Sequence, residues 1–263
     1  MFEKLNSQGF KFLTFSLIAL ILGSCASKKD IVYFQNAGDY ETIVSDNSHT
    51  NKFKVDDVLS IYVSTFDPQA SIPFNLFKGV ASEEGGMRAT EQVDYIIDKN
   101  GEIDFPVLGA IKLVGLSPEE AKNHLKEKLS PYLKDAIINI RLKNFTVTVL
   151  GEVNRPGTYA VGGEQITVLE AIGLANDLTI KGLRENVMVI RDFNGTKVYT
   201  RIDLTRKESL NSPVYYLTQN DVVYVEPNDS AVNASAFDSR VSVWVSVASL
   251  LITSTVLIIT RTN

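Results

Sequence analysis

The chain has 263 residues, 44% hydrophobic and 22% charged, an ordinary composition for a globular protein. Its 26 Lys and Arg are outnumbered by 31 Asp and Glu, so no basic excess is available to neutralise a phosphate backbone, which disfavours nucleic-acid binding. Two His and one Cys are too few for a usual zinc site or an intrachain disulfide framework. We therefore expect no metal site, no cofactor and no thiol catalysis.

The N-terminal residues are typical of a secretion signal. Two lysines precede the uncharged apolar run 12–22, which is too short to span a bilayer. The run ends in Leu22-Gly23-Ser24-Cys25, which resembles a bacterial lipobox: small side chains let a peptidase approach, and the thiol is the nucleophile that takes a lipid. We expect a signal peptide at 1–24, lipidation of Cys25, with palmitate among its acyl groups, and a lipidated tether at 25–52. The alternative is an ordinary signal followed by an unmodified Cys.

Residues 53–144 predict a first small α+β domain. A strand is expected at 58–63, followed by a long loop at 64–92 that contains Pro and Gly. Ser117-Pro118-Glu119-Glu120 is a capping box with Pro at the first helical position, so a helix should run to Leu129. Glu119 and Glu120, in its first turn, are interpreted as capping and dipole partners rather than catalytic carboxylates.

Residues 145–227 predict a second α+β unit. It should begin with a strand, followed by Pro156 and Gly157 at the centre of a type II turn in which Gly has a positive φ. A second capping box, Thr167 to Glu170, opens a helix that should end near Ala175. Asn194-Gly195 predicts a hairpin between two strands. A linker is expected at 228–240.

The strand that closes the second unit echoes the strand that opens the first. Asp221-Val222-Val223-Tyr224-Val225 is similar to Asp57-Val58-Leu59-Ser60-Ile61. Either a recurring strand solution or an old duplication would account for the echo.

Residues 241–260 contain no charge, Gly or Pro, and an Arg stands at each end. As a helix they would extend about 30 Å, one hydrocarbon thickness, and a lone strand could not satisfy its backbone in lipid, so a transmembrane helix is predicted. Steps of three and four place hydroxyl residues on one stripe, namely Ser239, Ser242, Ser246, Ser249 and Thr253. The stripe would line a wet lumen or pack against neighbouring helices. Alternatively the helix is a plain anchor whose hydroxyls bond to carbonyls one turn earlier.

Three stretches together resemble the bacterial outer-membrane polysaccharide export lipoproteins of the Wza type. Gly101 to Ile111, followed by Gly115-Leu116-Ser117, is similar to the polysaccharide export domain of that family. Val147 to Tyr159, which contains Pro156-Gly157, resembles the start of a soluble-ligand-binding β-grasp (SLBB) domain. Asp57 to Ile61 is similar to the opening strand of the export domain, although Asp56 stands where the family usually has Gly. The resemblance covers about residues 53–227 and leaves room for one SLBB repeat.

The resemblance implies an α+β architecture in which a small export domain precedes a β-grasp-like SLBB domain and a C-terminal transmembrane helix. It implies a non-enzymatic subunit of a ring-shaped channel that carries capsular polysaccharide or exopolysaccharide from the periplasm to the cell surface. The soluble domains would lie in the periplasm and the lipid in the outer membrane. The partners implied are copies of the chain, the polysaccharide itself and an inner-membrane polysaccharide co-polymerase, often a tyrosine kinase.

Two other functions remain open at this point. The chain could be a monomeric periplasmic glycan-binding or scaffolding lipoprotein with a C-terminal anchor. It could also be an enzyme acting on glycans or cell wall, although the sequence contains no Gly-x-Ser-x-Gly elbow and no recognisable pair of catalytic carboxylates.

Overall fold

Two hydrophobic cores, joined by a short connection at residues 142–145, organise the chain. The structure, a computed structural model, describes residues 31–40, 42, 51–79, 90–193, 195–236, 243–250 and 253–254. The first core gathers residues between Phe53 and Ile140, the second gathers residues between Phe145 and Val225, and the half-buried Leu142 packs against both. We refer to the two parts as the first and second domains.

The first domain is a three-stranded antiparallel sheet with two hairpin-like strand pairs and one long helix. In chain order its elements are β1 (Val58–Ser64), α1 (Pro68–Ser71), a 3-10 turn (Ile72–Phe74), β2 (Phe77–Gly79), β3 (Thr90–Gln92), β4 (Tyr95–Ile96), β5 (Glu102–Phe105), β6 (Gly109–Lys112), α2 (Pro118–Leu129) and β7 (Ile137–Leu142). Strand β1 lies between β4 and β7, while β2 pairs with β3 and β5 pairs with β6. Alternate residues of β1 are buried, as expected of a strand with one face on a core.

The predicted capping box at the start of α2 is confirmed. The hydroxyl of Ser117 accepts the backbone N–H of Glu120, and the Glu120 carboxylate accepts the N–H of Ser117 at 2.8 Å. Ala121, Leu125 and Leu129 are fully buried, because a spacing of four residues keeps them on one helix face. The helix therefore covers the core of the first domain with this face.

The second domain is a five-stranded mixed sheet packed against a short helix. Its elements are β8 (Thr146–Gly151), β9 (Gly157–Ala160), β10 (Ile166–Thr167), α3 (Val168–Leu174), β11 (Gly182–Phe193), β12 (Thr196–Ile202), a 3-10 turn (Lys207–Asn211), β13 (Tyr216–Leu217), β14 (Val222–Pro227) and α4 (Asp229–Ala236). The sheet order is β12-β11-β14-β8-β9, in which only β14 and β8 run parallel. The capping box of Thr167 and Glu170 that opens α3 is also confirmed.

Gly157 does not occupy the predicted type II turn. It is the first residue of β9, it pairs with Val149, and its φ is not positive. The positive φ in this part of the chain falls instead on Gly151, at +89°, where β8 ends. The Pro-Gly pair thus leads directly into a strand, and the chain reverses further upstream.

The predicted transmembrane helix at 241–260 is wrong. Among the residues that the structure describes, no helix combines the length and the apolar composition that crossing a membrane requires. The helical residues described within the predicted span are 243–250 and 253–254. The absence of charge favours a membrane span, but frequent Val, Ile and Thr lower the helix propensity of the segment. The other residues of the predicted span lie outside the described ranges.

Candidate functional site at the domain junction

An open cleft of about 660 Å³ lies where the two domains meet. Cavities of this size at domain interfaces are common binding sites for small ligands. Both domains supply apolar residues to its lining, among them Phe53, Ile140, Leu142, Phe145 and Val161. Its polar lining consists of Asn51, Lys52, Asp57, Arg141, Lys143, Glu164, Thr218 and Gln219, with the backbone of Gly162 and Gly163.

The carboxamide of Asn144 ties the connection between the domains to the start of β1. Its oxygen accepts the backbone N–H of Val58 at 2.9 Å, and its nitrogen donates to the carbonyl of Asp56 at 3.0 Å. The N–H of Lys143 donates to the carbonyl of Val58 at 2.8 Å. The chain therefore leaves the first domain in a fixed direction.

Gln219 makes the matching contacts from the second domain. Its nitrogen donates to the carbonyl of Asn144 at 2.5 Å, and its oxygen accepts the N–H of Thr146 at 2.8 Å. Gln219 is buried, so loss of either partner would leave a polar group without a hydrogen bond. Asn144 and Gln219 together form a continuous bridge from β1 to the turn before β14.

Lys54 and Asn51 make further hydrogen bonds to residues of the second domain. The ammonium of Lys54 lies 3.3 Å from the hydroxyl of Thr218 and 3.4 Å from the carbonyl of Gln219. The side-chain nitrogen of Asn51 donates to the carbonyl of Glu164 at 2.9 Å. These bonds connect both walls of the cleft across the domain boundary.

The same local turn precedes β1 and β14, on the two sides of the junction. Asp57 accepts the N–H of Lys54, three residues earlier, at 2.8 Å, and Asp221 accepts the N–H of Thr218 at the same distance. The preceding residues, Asp56 and Asn220, have φ of +69° and +66°. The sequence echo between these segments thus corresponds to a repeated turn, and Asp56 occupies a left-handed position that Gly would adopt most readily.

The two buried aspartates of these turns differ in their electrostatic surroundings. Arg191 pairs with both carboxylate oxygens of Asp221 at 2.7–3.2 Å and also donates to the carbonyl of Tyr216. Asp57 has no such guanidinium, and its burial raises the pKa of its carboxyl despite the hydrogen bond from Lys54. The carboxylate charge of Asp221 is therefore neutralised by a buried ion pair with Arg191, whereas the carboxyl of Asp57 has no cationic partner of this kind among the described residues.

The N-terminal segment, residues 31–40, docks on the second domain. The N–H groups of Phe34 and Gln35 donate to the carbonyls of Leu204 and Thr205 at 3.2 and 2.7 Å. The hydroxyl of Tyr33 donates to Asp177, and the guanidinium of Arg184 lies 5.3 Å from the centre of the Tyr33 ring. Asn36 donates to the carboxylate of Glu208, and this bond, with Arg206 and local N–H groups, lowers the Glu208 pKa to about 2. The segment that precedes the first domain in the sequence is therefore bound to the second domain.

The residues predicted as sites divide into three groups. Cys25, Ser239 and Ser242 lie outside the described residues. Ser246, Ser249 and Thr253 are in the described helical residues, where the Ser249 hydroxyl donates to the Ser246 carbonyl at 2.8 Å and the Thr253 hydroxyl donates to the Ser249 carbonyl at 2.7 Å. Such bonding back to the same helix was the alternative to a lumen stripe. Pro156 and Gly157 do not line the cleft. A role of the stripe in lining a lumen or in helix packing stays a prediction.

Sequence reasoning did not identify the junction residues. Asn144 and Gln219 are ordinary polar residues 75 positions apart, and no local pattern joins them. Asp221 could have been found from its echo of Asp57. Within the described part of the chain, no three His, Cys, Asp or Glu side chains are grouped so that they could hold a metal ion.

Comparison with known proteins places family models on both domains. Residues 45–143 match the model described as polysaccharide biosynthesis/export protein, and residues 146–225 match the SLBB domain model. The chain is similar to the EPS I polysaccharide export outer membrane protein EpsA of Ralstonia solanacearum, with 24% identity over 181 residues, 66% of this chain and 47% of the relative. The protein of the same name from Ralstonia nicotianae is 25% identical over 142 residues, 52% of this chain and 36% of the relative. The matched part thus spans less than half the length of either relative.

Proposed function

We propose that the chain, which matches the polysaccharide biosynthesis/export model over residues 45–143, is an outer-membrane lipoprotein subunit of an oligomeric assembly that exports capsular polysaccharide or exopolysaccharide. The tandem match of an export domain and an SLBB domain, over residues 45–143 and 146–225, is the observation that carries the proposal. The matched family is one of export proteins and not of enzymes. The polysaccharide would be cargo that passes to the cell surface unchanged.

The outer membrane is the proposed location, with both domains in the periplasm. The relatives from Ralstonia are named as outer membrane proteins, and Leu22-Gly23-Ser24-Cys25 supplies a lipidation signal. Only six peptide links separate Cys25 from Ile31, where the docked segment begins, so the two can be at most about 20 Å apart. Lipidation of Cys25 would therefore hold the second domain close to the membrane surface.

The proposed partners are copies of the same chain and an inner-membrane polysaccharide co-polymerase with tyrosine kinase activity. The interlocked junction supports an assembly of this kind, since a subunit whose domains keep a fixed mutual orientation can repeat around a ring. Lipid on each subunit would add further attachment to the membrane, because one acyl chain alone binds only marginally.

A deletion strain tests the export role. We expect the deletion to abolish polysaccharide at the cell surface and to leave polymer in the periplasm, and the intact gene to restore export. A Cys25→Ser variant should lose the acyl mass at its N terminus and export much less. Unchanged surface polysaccharide in the deletion strain would refute the export role, whereas a fully active Cys25→Ser protein would refute only the lipid requirement.

A further inference from the structure

We propose that the cleft at the domain junction binds a carboxylate-bearing sugar residue of the exported polysaccharide, an inference that rests on the proposed function. Three cationic side chains line the cleft, although the chain as a whole carries a net charge of −5. They come from the segment before β1 (Lys52) and from the end of β7 (Arg141 and Lys143). The cleft is therefore a locally positive region on a protein whose net charge is negative.

Within the described residues, the acidic groups of the lining form no ion pair with these cations. None of the three forms an ion pair within the described residues, whose ion pairs all involve other basic side chains. Asp57 is buried and its carboxylate is bonded to the N–H of Lys54 in its own turn. Glu164 is the remaining acidic residue of the lining. The carboxylate that Lys52 influences is Glu120, which is already held by the N–H of Ser117 at 2.8 Å.

The placement of Arg141 and Lys143 suits a single anionic group. Arg141 is the next-to-last residue of β7, Lys143 follows the strand directly, and both are exposed and line the cleft. The guanidinium of Arg141 can present two parallel N–H groups to a carboxylate, and the Lys143 ammonium adds a second charge. Lys52 supplies the third cation from the adjoining segment.

The rest of the lining suits the sugar ring that carries the carboxylate. Leu142, Ala160 and Val161 keep part of their surface exposed and offer apolar contacts for the C–H groups of a ring. Asn51 offers the oxygen of its carboxamide to a sugar hydroxyl, and Gly162 and Gly163 leave the backbone accessible. A free phosphate would contact only the cationic side chains, whereas an acidic sugar would contact the cations through its carboxylate and the apolar and polar lining through its ring.

Binding of tetragalacturonate to the purified full chain in detergent, measured by titration calorimetry, tests the inference. We expect saturable binding by tetragalacturonate, at least tenfold weaker binding by neutral maltotetraose, and weak competition by inorganic phosphate at equal concentration. The double variant Arg141→Gln/Lys143→Gln should bind tetragalacturonate at least tenfold more weakly. The matched control is Lys126→Gln/Lys128→Gln, which removes the same charge from the exposed face of α2 and should bind within twofold of the natural chain.

Three outcomes would overturn the inference: absence of tetragalacturonate binding, equal weakening in both double variants, or phosphate binding as tight as tetragalacturonate. Lys52→Gln provides a second variant if the first loses its folded circular dichroism spectrum, and unchanged affinity in that variant would also count against the site. The export test separates this failure from failure of the proposed function. A chain that restores export to the deletion strain without binding tetragalacturonate refutes the cleft assignment alone.

Discussion

Gly151 is the residue whose backbone conformation matters most for the second domain. Its φ is +89°, and a Cβ atom placed there would lie 2.0 Å from the carbonyl oxygen of Val225 on the neighbouring strand. Only Gly can adopt this conformation and approach a parallel neighbour so closely. A Pro-Gly pair is a strong local turn signal, so the sequence predicts the positive φ of this region at Gly157, whereas the contact of Gly151 with Val225 is set by tertiary structure.

We predict that Gly151→Ala lowers the free energy of unfolding by at least about 2 kcal/mol, because the added Cβ forces both an unfavourable φ and a backbone shift. Gly162→Ala is the matched control, since nothing lies within 4 Å of its added Cβ and its φ is not positive. Urea unfolding of the two variants measures the difference. Equal stability of both would show that β8 and β14 are not in contact at this point.

Asp57 should make stability fall as the pH rises. Burial raises the pKa of this carboxyl in the folded chain above its ordinary value of 3.8, so the folded state keeps a proton that the unfolded state has already lost. Its contribution is therefore most favourable below pH 3.8 and declines as the pH rises through the folded pKa. Asp57→Asn keeps an acceptor for the N–H of Lys54 but cannot ionise.

We expect the advantage of Asp57→Asn over the natural chain, measured by urea unfolding, to grow as the pH rises above 3.8 and to level off once the pH exceeds the raised pKa of the folded chain. Asp56→Asn, at the exposed neighbouring position, serves as the control and should show no such growth. A constant difference between Asp57→Asn and the natural chain at every pH would contradict the assigned burial of Asp57.

At the scale of the elements, structural features that depend on residues three or four positions apart could be predicted from the sequence. Both capping boxes formed as predicted, because the side chain and the N–H that it accepts are three positions apart. The predicted transmembrane helix rested on composition, and an apolar run by itself does not determine helix length; within the described residues no helix is long and apolar enough to cross a membrane. The bonds of Asn144 with Gln219 and of Tyr33 with Asp177 could not be predicted, since they join residues 75 and 144 positions apart.

The buried ion pair that joins β11 to the turn before β14 yields a prediction for these elements. Arg191→Met would leave the fully buried carboxylate of Asp221 without its cation, and we expect a loss of about 3–5 kcal/mol in the free energy of unfolding. Lys197→Met breaks the exposed pair with Asp192 and should cost less than about 1 kcal/mol. Thermal or urea unfolding of both variants provides the comparison. Similar small losses in both would contradict the structural role of the Arg191–Asp221 pair.

On the scale of the whole molecule, both ends of the described N-terminal region are fixed to the second domain or to the junction. Phe34 and Gln35 donate to the carbonyls of Leu204 and Thr205, just after β12, and Asn51 donates to the carbonyl of Glu164 beside the cleft. The bridge through Asn144 and Gln219 then sets the relation of the two cores. The fold is thus a pair of domains whose orientation depends on polar bonds and a shared cleft, a geometry suited to a repeating subunit.

The native mass of the assembly, purified in mild detergent from the outer membrane, tests the export-assembly account most directly. The account predicts one closed species whose protein mass is a whole multiple of the lipidated subunit, unchanged on dilution, in the same cells whose surface polysaccharide requires the gene. A single-subunit mass at every concentration would contradict the account and would favour a monomeric scaffolding lipoprotein.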